Sequence, residues 1–140
     1  MANVMGFART NYVKVKDLQG LSDALKDLGI EVLSHIETPN LVAFFPPKNS
    51  SDGTFPQVQN PYDEDELHDI DWQTLVIPYL EDRQVLVVMT AGYEGRRYCY
   101  GDAIAYAKNQ PPVWVALTDI YQKASKAFGV STGDITLAER

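Results

Sequence analysis

Cysteine and histidine are almost missing from this 140-residue chain, which has one of the former, Cys99, and two of the latter, His35 and His68. A single thiol excludes an intrachain disulfide and a zinc site built from several cysteines, and it fits a reducing compartment. Catalytic use of an imidazole requires a nucleophile and an orienting acid beside it. His68 has Asp69 next to it but no evident nucleophile, and it reads as a surface histidine. Cys99, which shares one face of a predicted strand with Gly101, Ala103 and Ala105, reads as a buried small hydrophobe. No stretch approaches the roughly 20 apolar residues needed to span a bilayer, and residues 1–10 lack the apolar segment of a signal peptide. The expectation is a protein that is neither secreted nor inserted in a membrane, with the cytoplasm as its place of work. The glycines supply no phosphate cradle. Gly92-Tyr93-Glu94-Gly95-Arg96-Arg97 matches neither a Walker A loop nor a dinucleotide fingerprint and reads as a hairpin turn. The residues therefore nominate no catalytic group, no metal site and no cofactor.

Basic residues are also scarce, with 12 Lys and Arg against 19 Asp and Glu, and the excess is localised. Residues 1–46 carry −1, residues 47–82 carry −8 and residues 83–140 carry +2, together the net −7 of the chain. Within the middle third, Asp63, Glu64, Asp65, Glu66, Asp69 and Asp71 follow one another with no basic residue among them. Such a field favours a basic partner over nucleic acid or an anionic membrane. Arg96 and Arg97, with Tyr93, Tyr98 and Tyr100, form a basic-aromatic cluster, but two arginines do not offset the surrounding charge, and phosphate binding draws on several contacts. Three readings of the acidic segment compete: a solvated loop, a docking surface for arginine and lysine, and a divalent-cation site. The third lacks the ligand order and turn glycine of an EF-hand loop.

Length and composition fit a single α+β domain over residues 1–140, since 45% apolar residues suffice for one core. Alternation at residues 12–15 predicts a first strand. Leu18, Leu21, Leu25 and Leu28 recur at helical spacing between Asp17, a predicted N-cap, and Gly29, a predicted left-handed cap. Residues 30–36 and 41–45 read as a hairpin about the turn at Thr38-Pro39-Asn40. Pro46-Pro47 then opens a stretch to about residue 70, rich in Pro, Ser, Asn, Gly and acids, that reads as a long acidic loop. A short helix carrying Trp72, Leu75, Val76 and Tyr79 is expected next. The apolar run 85–89 reads as a central strand covered on both faces. Residues 97–107 and 113–117 read as further strands, followed by a helix from Thr118 to Gly129 and a fraying terminus. The order β-α-β-β-α-β matches a ferredoxin-like sheet, extended by a β-hairpin and a C-terminal helix.

By alternation Arg9 and Asn11 share the face of Val13 and Val15, so these two, with Glu94 and Arg97, define an alternative small-molecule pocket. The plainer reading of Arg97 is a pairing with Glu94 or another acid across the hairpin.

The chain resembles small uncharacterised proteins encoded by phages, plasmids and other mobile elements. The likeness lies in Arg9-Thr10-Asn11-Tyr12, in Gly92-x-Glu94-x-x-Arg97-Tyr98-x-x-Gly101-x-Ala103, and in Thr118-Asp119-Ile120-Tyr121. It covers a minority of positions, spread along most of the chain, and its motifs specify no activity. In scale such proteins are similar to viral anti-CRISPR and anti-restriction inhibitors that act inside a bacterial host. The leading expectation is accordingly a non-enzymatic acidic protein that docks on the basic, nucleic-acid-binding surface of a host protein. In that reading the six acids occupy arginines and lysines, while Tyr62 and Trp72 supply aromatic anchors. The rivals are the small-molecule pocket just described and a homodimer formed by pairing of exposed strand edges.

Overall fold

The computed structural model describes residues 4–48, 50, 53–60 and 63–139, and at residues 4, 58–60 and 63–68 it describes the backbone. The fold is α+β. Among the described residues nine strands, β1 (Val4–Thr10), β2 (Val13–Lys14), β3 (Glu31–Ser34), β4 (Leu41–Phe45), β5 (Val58–Asn60), β6 (Asp63–His68), β7 (Leu86–Glu94), β8 (Tyr98–Tyr106) and β9 (Val113–Ala116), are joined by three α-helices, α1 (Leu18–Leu25), α2 (Trp72–Leu75) and α3 (Asp119–Phe128). The strands form a four-stranded sheet in the order β1-β7-β8-β9, a three-stranded sheet β2-β4-β3 and a two-stranded ribbon β5-β6.

Every one of these pairings is antiparallel. The strand order departs from the expected ferredoxin-like sheet, which would join the strands at residues 12–15, 30–36, 41–45 and 85–89 in one sheet: here β2, β3 and β4 form the small sheet and β7 belongs to the large one.

Asp17 caps α1 by accepting from the Gly20 amide at 3.0 Å, and Gly29, at φ 68°, ends the following turn in the left-handed conformation that glycine adopts without strain. Leu21 and Leu25 on the inner stripe of α1 are fully buried. They meet Val13, Val15, Val42 and Phe44 of the small sheet, Trp72, Val76, Ile77 and Leu80 around α2, and Leu86 and Val88 at the near end of β7. One apolar core thus lies between α1, α2, the small sheet and part of one face of the large sheet.

Residues 4–15 serve both sheets in succession. Through Thr10 the strand pairs with β7. Asn11 then extends that ladder with its side chain: Oδ1 accepts from the Val87 amide at 2.8 Å, and Nδ2 donates to the Val85 carbonyl at 3.0 Å. At Val13 the backbone has passed to β4, and Val15 bridges Leu80. The Thr10 hydroxyl spans the crossing, accepting from the buried Phe44 amide at 2.8 Å and donating to the Asn11 carbonyl at 2.9 Å.

Other expectations are corrected. The stretch anticipated as a long acidic loop contains the β5-β6 ribbon, with a register shift between Gln59 and Asn60. The β7 strand is central but is covered on one face: Leu86 and Val88 are buried, while Met89 is 57% exposed. Cys99 is exposed rather than buried. The terminus is tied down by a 3-10 turn at Thr132–Asp134, a bridge between Tyr98 and Glu139, and a bond from the Ala138 amide to the Tyr121 hydroxyl at 2.7 Å.

Replacing Thr10 by Val keeps the shape but leaves the Phe44 amide without its acceptor. A buried donor so stranded costs about 1–3 kcal/mol. Urea unfolding of Thr10→Val should show that loss, whereas Thr10→Ser should retain most of the parent's stability.

Candidate functional site

A cleft of about 700 Å³ opens between one face of the large sheet and the chain that follows β4, within the usual size range of ligand sites. Strand alternation sets the floor. Val88 and Thr90 on β7, with Asp102, Ile104 and Tyr106 on β8, all point to this side. The opposite wall comes from Pro47, Ser50 and Thr54 to Gln57 and from Asp69, Ile70 and Trp72. Gly53 holds that wall against the sheet: its φ is 75°, and a Cβ there would collide with the Gly6 carbonyl. Phe55 stacks edge-on against Trp72 with ring centroids 4.8 Å apart, closing the inner end over the core.

Two carboxylates face this space, Asp69 from the acidic segment and Asp102 from β8. Partial burial pushes the Asp102 carboxyl above the usual carboxylate range, and the negative charge of Asp69 pushes it further the same way. Burial also raises the Tyr106 phenol, followed by the charges of Asp71, Asp69 and Asp102. Gln57 reaches Asp69 through an Nε2–Oδ1 contact of 3.4 Å. Asp69 and Asp102 are both exposed residues, so the site is an open acidic one, and a bound cation would offset the repulsion that Asp69 exerts on Asp102.

The acids singled out in the sequence separate into different roles. Asp71 caps α2, accepting from the Thr74 hydroxyl at 2.7 Å and the Thr74 amide at 3.3 Å. Asp69 lines the cleft. Asp63, Glu64, Asp65 and Glu66 lie on β6, which ends one residue before Asp69. Tyr62 lies outside the described residues. Trp72 is 4% exposed and packs between Phe44 and Phe55, so it is a core residue and not a surface anchor.

The alternative pocket does not assemble. Arg9 stands opposite Met89 and Val4 opposite Glu94, which puts five residues, about 17 Å at strand rise, between the two ends. Arg9 donates from Nε to the Thr10 carbonyl at 3.1 Å and stacks over Phe45 at 4.8 Å. At the far end Arg97 pairs with Glu94 at 3.1 Å, and Tyr98 donates to the same carboxylate at 2.6 Å. That hydrogen bond raises the Tyr98 phenol.

Asp102 and Tyr106 were not singled out as site residues in the sequence, although a signal was present. Asp102 interrupts the face formed by Tyr98, Tyr100, Ile104 and Tyr106, and an acid among such residues marks either an edge or a site. Only the fold brings Asp69 to it. No family model, curated protein or solved structure matches the chain.

Because the folded state raises the Asp102 carboxyl, the native protein holds that proton more tightly than the unfolded chain. Stability on this account is lost as pH rises through the raised value. Asp102→Asn should therefore be more stable than the parent at neutral pH, with the gap closing in acid, where Asp102 is protonated in both states. Denaturant unfolding across a pH series checks this, and equal stability at every pH would contradict it.

Proposed function

We propose that this chain is a non-enzymatic binding protein whose acidic side receives arginine or lysine side chains of another protein. The observation that carries the reading is that Asp69 and Asp102 line the same cleft from opposite walls, and the raised Asp102 carboxyl, from partial desolvation and the charge of Asp69, agrees with it. A guanidinium entering there meets carboxylates from two directions, and its charge removes the repulsion between them. The adjoining acids Asp63, Glu64, Asp65 and Glu66, with Asp69 and Asp71, make residues 63–71 the most negative stretch of the chain. Their field steers a basic surface towards the cleft and repels phosphate.

The resemblance to mobile-element proteins supplies the class of target: a nucleic-acid-binding defence complex of a bacterial host. Its phosphate-gripping arginines would be occupied by carboxylates, and inhibition would follow from competition. In this reading the partner is a protein and neither nucleic acid nor membrane. Among the described residues no helix is long and apolar enough to cross a membrane.

The test is calorimetric titration with an arginine-rich peptide and, as control, its glutamate-rich counterpart. The parent should bind only the basic peptide, and the affinity should fall as salt is raised from about 50 to about 300 mM. Asp69→Asn combined with Asp102→Asn should weaken binding by about tenfold or more, equivalent to about 1.4 kcal/mol. Reversal of Asp63, Glu64, Asp65 and Glu66 to Lys should abolish it. If both variants bind as tightly as the parent, the proposal is wrong.

A further inference from the structure

The large sheet has a second face, turned away from the cleft, and it is bare. Strand register places Met5 and Phe7 on β1, Met89 and Tyr93 on β7, and Val113 and Val115 on β9 together on this side. Each is 48 to 71% exposed. Between them β8 presents only Cys99, Gly101, Ala103 and Ala105, so the middle of the face is shallow. Arg9 is the one charged residue at the paired positions on this side.

Helix α3 holds the C-terminal turn through Tyr121, but its apolar stripe is uncovered among the described residues. Ile120, Ala124, Ala127 and Phe128 recur at helical spacing, no residue of the helix is buried, and Phe128 is 78% exposed. The helix springs from the margin of the bare face, because Leu117, two residues before it, lies over Gly101 at a distance of 3.0 Å from where a Cβ would stand. One chain therefore carries an apolar sheet face lacking a helix and an amphipathic helix lacking a sheet.

We infer that a second copy of this chain covers that face, with α3 of each copy packed on the sheet of the other about a twofold axis. The two halves of a helix-on-sheet interface are present in the same molecule, and a twofold uses each of them twice. The available area agrees. With 150–250 Å² for a whole aromatic side chain and less for Met, Leu, Ile and Val, full cover of the half-exposed apolar groups of sheet and helix would bury up to about 800–1,000 Å² per copy, against about 800 Å² for a standard interface. That exceeds the roughly 300–600 Å² patch an ordinary monomer exposes. Charge does not oppose the pairing, since Asp69 and Asp102 lie on the cleft side of the sheet and the bare face carries little charge. This surface differs from a pairing of strand edges, because it uses side chains on the face of the sheet and leaves the ladder untouched.

Light scattering on the full chain across a wide range of concentration tests the inference. The parent should approach twice the 15.7 kDa of one copy, and Phe7→Asp and Phe128→Asp should each return the mass to that of one copy with an unchanged circular dichroism spectrum. Cys99 gives a second reading without altering the face: its reaction with a maleimide should slow as the parent is concentrated and be independent of concentration in Phe128→Asp. A parent that stays monomeric at its highest concentration overturns the inference, as does a dimer that survives both substitutions. A maleimide rate that does not change with the parent's concentration overturns it as well.

Discussion

The crossing of the first strand from one sheet to the other is the constraint on which the architecture depends. A strand that leaves its ladder strands backbone donors and acceptors, and each that stays buried without a partner costs about as much as a hydrogen bond is worth. Here two side chains settle the account. The backbone amide of Asn11 still donates to the Val87 carbonyl at 3.2 Å, and its side-chain amide carries the ladder on by meeting the Val87 amide and the Val85 carbonyl. The hydroxyl of Thr10, 1% exposed, takes the Phe44 amide beyond the reach of β2. The two sheets are thereby fixed in one frame.

That frame gives the large sheet two unlike faces. One face joins the core at Ala8, Leu86 and Val88 and, farther along β7 and β8, becomes the floor of the acidic cleft. The other carries methionine, phenylalanine and valine in the open. Charge and apolar surface are thus separated by the thickness of a single sheet. The separation lets one small chain offer two surfaces of different chemistry, one suited to basic side chains and one to its own copy.

Much of the local structure was legible in the sequence. Leu21 and Leu25 at helical spacing, Asp17 before them and Gly29 after them specify α1, and Pro39 with Asn40 marks the turn between β3 and β4. The pairing of Arg97 with Glu94 was also readable from the turn. What escaped was long-range. The exchange of the first strand between sheets depends on contacts between Thr10 and Phe44, 34 residues apart, which no local pattern encodes. The β5-β6 ribbon was hidden because prolines and acids mask a short ladder. Trp72 was misjudged as an anchor because its neighbours are charged, yet it sits under Phe55 and completes the core. Of the cleft's carboxylates, Asp69 was visible in the acidic run, but Asp102 on β8 required the fold.

The central claim is that the cleft binds a cation by relieving Asp102. Carbon-detected magnetic resonance can follow the Asp102 carboxyl through a pH titration with and without a saturating arginine-bearing peptide. A basic group seated between Asp69 and Asp102 should draw the Asp102 titration from its raised position back towards or below the ordinary carboxylate value of about 3.9. A titration that does not move when the peptide is bound would contradict the account.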